Sequence, residues 1–285
     1  MKRLLSSALA ATGVAVVLAG CGGGSSSPAP PSIAPARQYS LSGFQPVAPV
    51  RPGKPTVVSF TVIQPNGKPL VNYRTGPGPH TGVHVILVRD DLSTIVHRHP
   101  PIAPDGRVHD PVTLTEPGPY HVLVDIYPAS KGPGYTNVQL TQSLRVRGKY
   151  TPQPMPPFSR TVVTEGYRFT MQNPPKLHVA EAALVTVTVQ DPDGQPAHFT
   201  PWYGALAHAI FFHKDDLAYF HTHVCAPGLA GCTNVAGGAS ISGTSAKPGV
   251  LHVGVLLPEA GIWRLFLQCQ VDGKILTAPF TLTVR

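Results

Sequence analysis

Four histidines recur at matching places in the two halves of this chain. His84, His97, His99 and His109 in the first half correspond to His208, His221, His223 and His252 in the second. His99 stands fifteen positions after His84, and His223 fifteen after His208. His109 and His252 each stand nine residues before a glycine, Gly118 and Gly261. Self-similarity of this kind marks a duplicated unit, and side chains kept in both copies while their neighbours differ are candidates for chemistry. That chemistry is metal binding, because imidazole-rich sets suit Zn²⁺, Cu²⁺ or Ni²⁺, with Cu²⁺ held most tightly in vitro. The expectation is one divalent copper or zinc ion in each domain, held by three histidines with His109 or His252 as fourth ligand.

The elements that must position these rings can be read from the flanking residues. Val83 to Arg89 and Thr94 to His99 surround an Asp-Asp-Leu centre, as do His208 to Phe212 and Ala218 to His223. Apolar, β-branched runs on either side of a short polar centre predict two hairpins. In a regular hairpin Ile86 then lies opposite His97, His84 opposite His99, and His208 opposite His223. Opposed residues share a face with residues two apart on one strand. Three imidazoles therefore converge at the open end of each hairpin.

The compartment is written in the leader. Lys2 and Arg3 precede an apolar stretch from Leu4 to Leu18, which closes on Leu18-Ala19-Gly20-Cys21. The pattern reads as a secretory signal over residues 1–20. Its last four residues resemble the lipobox of bacterial lipoproteins. That resemblance implies cleavage before Cys21, lipidation of its sulfur, and attachment to a membrane through the lipid. Gly22 beside the lipidated cysteine resembles the outer-membrane sorting choice, which places the protein in the bacterial cell envelope, facing the periplasm. Residues 21–38, rich in Gly, Ser and Pro, predict a flexible tether. The formal charge is +8, yet the lysines and arginines are scattered, with no basic run or aromatic-interleaved patch for a nucleic acid.

An oxidising envelope favours disulfides, and Cys225 with Cys232 would close a short loop after the second histidine hairpin. Cys225 as a metal thiolate beside His223 is the alternative, although the first copy has Pro100 and Pro101 here and no sulfur. Cys269 alternates with Trp263, Leu265 and Leu267 and reads as a buried free thiol.

With 33 Pro, 28 Gly and 13% charged residues, and short β-type runs in place of a sustained helical period, the fold class is all-β. Two tandem Greek-key sandwiches from an internal duplication are expected, residues 39–149 and 160–285, joined by a Pro-rich linker at 150–159. One strand is expected at Val112 to Thr115. Glu116-Pro117-Gly118-Pro119-Tyr120 and Glu259-Ala260-Gly261-Ile262-Trp263 both set an aromatic two residues after glycine. This resembles the tyrosine corner of immunoglobulin-like sandwiches, with Trp263 a departure because it has no hydroxyl to donate. The mature chain resembles the tandem immunoglobulin-like or copper-resistance-type β-sandwich domains of bacterial envelope proteins, some of which bind metal through histidines at a sandwich end. Only three methionines are present, unlike Met-rich cuprous binders.

Two other readings stand beside metal binding. One is a scaffold or protein-interaction lipoprotein with an envelope partner, whose histidines hydrogen-bond Asp90, Asp91, Asp215 or Asp216. The other is a metal-dependent hydrolase, for which neither Gly-x-Ser-x-Gly nor His-Glu-x-x-His is present.

Overall fold

Short β-branched and aromatic runs, cut by proline and glycine, form strands throughout, and no helix occurs among the described residues. The computed structural model describes residues 38–76, 78–129, 137–172, 175–229, 234–236, 239–241 and 243–285. The leader, Cys21, nearly all of the tether and Cys232 lie outside the described residues.

The first half contains β1 (Ser40–Gln45), β2 (Pro55–Ile63), β3 (Val83–Arg89), β4 (Ile95–Arg98), β5 (Arg107–Thr113), β6 (Gly118–Ile126) and β7 (Val138–Val146). They build two antiparallel sheets, β1-β2-β5 and β4-β3-β6-β7. Val58, Phe60, Val85, Leu87, Val108 and Val122 fill the core between them. β5 begins earlier than the strand expected at Val112 and carries Pro111 inside it. The proline is tolerated because β5 is the outer strand of its sheet, where a missing N–H leaves no ladder bond unmade.

The second half contains β8 (Thr161–Thr164), β9 (Tyr167–Met171), β10 (Ala183–Gln190), β11 (Phe199–Thr200), β12 (Ala207–His213), β13 (Tyr219–Cys225), β14 (Asn234–Ala236), β15 (Ala239–Ile241), β16 (Gly243–Thr244), β17 (Val250–Val255), β18 (Gly261–Val271) and β19 (Lys274–Val284). One hydrogen-bonded path runs β11-β18-β12-β13-β16-β17-β10-β9-β8, with β19 on β18. The short β16 joins β13 to β17, so both layers of this sandwich belong to one path. Phe169, Val187, Phe211, Val253, Leu265 and Phe280 pack between the layers.

β3 and β12 are buried at every position. An unbroken buried run means that both faces of the strand are covered. Val83, Val85 and Leu87 face the first core, while Ala207, Ala209 and Phe211 face the second. The alternate residues Ile86, Val88, Ile210 and Phe212 form a third apolar cluster with Leu92, Leu123 and Phe266. The sandwiches therefore pack through the outer faces of their histidine hairpins. Leu92 and Leu217, one in each hairpin turn, adopt left-handed backbone (φ 57° and 59°) and also join this cluster. Met155 of the linker packs there too. All of these residues lie in one compact unit, Arg37–Arg285.

The corner appears in both halves. Tyr120 donates its hydroxyl to the carbonyl of Glu116 at 3.0 Å, and Trp263 donates its indole N–H to the carbonyl of Glu259 at 3.1 Å. Trp263 lacks the hydroxyl but makes the equivalent bond with nitrogen.

Phe212 is fully buried between the sandwiches. Phe212→Ala should cost about 3 to 5 kcal/mol in urea unfolding, the range for losing a buried phenyl ring. Leu184→Ala, on an exposed residue, should stay within about 0.5 kcal/mol. Equal effects of the two would show that the shared face is not a packed core.

Candidate metal centre

The hairpin registers bring the histidines together in two stages. Within each hairpin, Ile86 pairs with His97, Ile210 with His221, and His208 with His223. His99 follows the last residue of β4 and stacks on His84, with ring centroids 3.7 Å apart. Each triad thus stands on the outer face of its hairpin, the face that meets the other sandwich. Packing of those faces then merges the triads into one pocket. His97 lies 5.0 Å from His208 and 5.3 Å from His221 between centroids, and His84 lies 5.6 Å from His221. The two triads, expected one per domain, meet in a single shared pocket, because the sandwiches are packed through the surfaces that carry the rings.

Hydrogen bonds fix which nitrogen of four rings faces inward. His84 Nε2 is 2.9 Å from the Pro79 carbonyl, and His208 Nε2 is 2.9 Å from the Trp202 carbonyl. A carbonyl only accepts, so both rings carry hydrogen on Nε2 and keep a lone pair on Nδ1. His97 Nδ1 lies 3.2 Å from Gln268 Oε1, an acceptor, because the Gln268 amide donates to Thr277 Oγ1. His97 therefore keeps its lone pair on Nε2. His221 Nδ1 meets the Tyr219 hydroxyl at 3.0 Å, which leaves Nε2 as its inward atom.

These outer partners are exchanged between the sandwiches. Asp125 is the β6 residue paired with His84, and Gln268 is the β18 residue paired with His208. Gln268 reaches across to His97, and Asp125 reaches across to Tyr219, the partner of His221. Each half thus orients one ring of the other half, the arrangement by which ligand histidines are usually aimed.

The rings are dry. His84 and His208 are 0% exposed, His223 is 1% exposed, and neither nitrogen of His223 has a hydrogen-bond partner. His84 Nδ1 is likewise buried without a partner. Leaving a buried polar group unsatisfied costs about 1 to 3 kcal/mol. Desolvation lowers the imidazole pKa to about 4 for His80 and His208 and to about 3 for His84. It holds His97, His99, His221 and His223 well below the usual value, with neighbouring histidines adding to the effect. Burial also pushes the Asp125 carboxyl up to about 7, against the hydrogen bond from Asn137 Nδ2 at 2.7 Å and longer ones from Tyr219 and Tyr127. Neutral imidazole is the form that binds metal.

The donor spacing fits an ion. His97 Nε2 and His99 Nε2 are 3.1 Å apart, and His208 Nδ1 and His221 Nε2 are 3.3 Å apart. Two nitrogens held about 2.0 to 2.1 Å from a tetrahedral Zn²⁺ stand about 3.3 to 3.4 Å from each other. Each pair needs little movement to hold a cation.

Two expected ligands stand elsewhere. His109 lies on β5, in the other sheet of the first sandwich, where its Nε2 accepts from Arg107. His252 lies on β17, with Nδ1 bonded to Thr186 at 3.0 Å. Both are corrected as fourth ligands, because sheet position outweighs a constant sequence offset. The aspartates of the scaffold reading are also elsewhere. Asp91 holds Arg89 and Ser93, and Asp216 holds His213, at the turn ends of the hairpins while the triads sit at the open ends. Cys225 is disulfide-bonded, which withdraws the thiolate alternative, and Cys269 is a buried free thiol.

Several pocket residues carried no repeat signal. His80 precedes His84 in a Gly-Pro segment and stands 4.7 Å from His223 between centroids. Tyr203, with positive φ, stacks on His99 at 4.0 Å and an interplanar angle of 4°. Beside it, a Cβ on Gly204 would strike the backbone of Gly78 and Pro79 at 2.8 to 3.1 Å, so this close approach of the two loops needs glycine.

Fold and pocket together define an all-β protein of two immunoglobulin-like sandwiches with a buried histidine cluster between them. A family described as a domain of unknown function (DUF8832) matches residues 161–285. No curated protein matches the chain. The chain is similar to a solved Lin-41 filamin domain at 12% identity and a TM-score of 0.27, covering 42% of this chain and 92% of that one. It is similar to invasin, a bacterial integrin-binding protein, at 15% identity and TM-score 0.24, covering 87% of this chain and 38% of that one. The tandem Ig repeats of Dlar match at 11% identity and TM-score 0.22, covering 88% and 99%.

The lowered imidazole pKa values set the acid stability of the metal-free protein. The unfolded chain protonates its histidines near pH 6.5, whereas the folded pocket does so only at about 4 for His80 and His208 and about 3 for His84, so stability is lost progressively as pH falls below about 6.5. Asp125, raised in the folded state, binds a proton on folding over the same window and opposes the trend with one proton. The histidines outnumber it, and each contributes up to about 1.4 kcal/mol per pH unit. Urea midpoints measured in chelator between pH 7.5 and 4.5 should fall steeply. A flat profile would mean that the pocket admits water.

Proposed function

We propose that this is a lipid-anchored protein of the bacterial envelope that binds a divalent transition metal, copper or zinc, in an imidazole pocket between two immunoglobulin-like sandwiches. Such a protein buffers, carries or senses the metal. The observation that carries this reading is His223, buried with both ring nitrogens unpartnered among rings whose lone pairs point inward. A core histidine kept for packing would have its nitrogens hydrogen-bonded, and a cation gives these nitrogens a partner. The Leu18-Ala19-Gly20-Cys21 sequence supports the anchor.

Binding to the folded state alone raises stability by about 2.7 kcal/mol at a free metal concentration one hundred times Kd. Calorimetry of the mature protein with Cu²⁺ and Zn²⁺ at neutral pH should show binding, and melting should shift upward. His97→Ala combined with His221→Ala should abolish both effects. Gln268→Leu, which removes the acceptor that orients His97 but no imidazole, should weaken affinity about 10- to 100-fold. No heat and no stabilisation with either ion would leave the cluster a structural one.

For the anchor, Cys21→Ser should remove the lipid and with it the membrane-pelleting fraction, since the acyl chains supply the affinity. Unchanged pelleting of the variant would rule out lipidation at Cys21.

A further inference from the structure

We infer that the pocket is a two-ion centre, in which the first sandwich's triad seats one ion, the second sandwich's rings seat another, and His97 stands between them. It rests on the metal-binding reading above and adds the number of ions and their coupling. Seven imidazoles, those of His80, His84, His97, His99, His208, His221 and His223, meet in one ring-contact network, with the Asp125 carboxylate beside them. A single first-row ion takes about four to six donors. One ion would leave several buried nitrogens as it found them.

The donors sort into sets. His84, His97 and His99 present ligand atoms within 4.8 Å of one another, and so do His97, His208 and His221. The sets share His97 alone, and each contains one of the short nitrogen pairs at 3.1 and 3.3 Å. His84 and His208, repeat equivalents with the same inward Nδ1, fall in different sets, as a duplicated site predicts. A third set, His84, Asp125 and His221, spans the first two. Two dications side by side repel, and an anion that reaches one ring from each set offsets that repulsion. Asp125 is the one carboxylate in these three sets, and it is placed there.

The test uses the mature protein and Cu²⁺ alone, loaded at neutral pH and freed of excess by dialysis. Elemental analysis should find two coppers per chain. Their electron paramagnetic resonance signal should integrate to well under two spins, because neighbouring Cu²⁺ ions couple. Loading one equivalent of Cu²⁺ and then one of Zn²⁺ should restore a signal of one full spin, and this arm needs no variant. His208→Ala should bind a single copper with one full spin. One copper per wild-type chain, or two coppers that integrate to two uncoupled spins, overturns the two-ion centre while leaving metal binding intact. No bound copper at all removes the metal-binding reading and the two-ion centre together.

Discussion

The packing of two hairpin faces against each other is the constraint on which this structure depends. β3 and β12 each have one face committed to the core of their own sandwich and the other committed to the neighbouring sandwich. Ile86, Val88, Ile210 and Phe212 supply the apolar drive for that contact, and the histidines occupy the same faces one or two pleats further along. Most of the imidazoles are buried because they share these faces with apolar neighbours. Without the shared face, the two triads would be surface groups near their ordinary pKa, with solvent answering every nitrogen.

Burying the rings raises the stakes of each hydrogen bond. In a low-dielectric pocket a paired polar group is held firmly and an unpaired one is costly. The structure answers one nitrogen of His84, His97, His208 and His221 with an outer partner and directs the other inward. Two of those partners are backbone carbonyls at the loop before each hairpin, one is Gln268 of the opposite sandwich, and one is Tyr219, itself held by Asp125 of the opposite sandwich. The orientation of the rings and the association of the domains are therefore one property. A substitution that loosened the interface would disturb ring orientation as well, and a cation bound by rings of both halves would tie the halves together.

Much of this was legible in residue order. The equal hairpin lengths gave the pairing of His97 with Ile86 and of His208 with His223, since a two-residue strand period leaves one register that buries the apolar set. The glycine-aromatic corners announced their hydrogen bonds, and Trp263 only exchanged the donor. The offsets of His109 and His252 misled, because a constant distance along the chain says nothing about which sheet a strand joins. Asp125 and Gln268 were silent for the opposite reason. They differ in type, so no repeat marks them, and only the pairing of β6 with β3 and of β18 with β12 shows that they are equivalent.

Residue order by itself determined the two hairpins and the triad on each, because periodicity, turn composition and cross-strand pairing are local properties of a chain. It also held a clue to the interface, in the unbroken apolar runs of β3 and β12, which exceed what a one-sided strand needs. Which surface covers those runs was decided by tertiary structure alone. Two apolar faces found each other across more than a hundred residues of sequence, and that choice turned two surface triads into one buried pocket. Burial then set the protonation of the rings, the partners of their nitrogens and the number of donors within reach of a single point, none of which is a property of any segment taken separately.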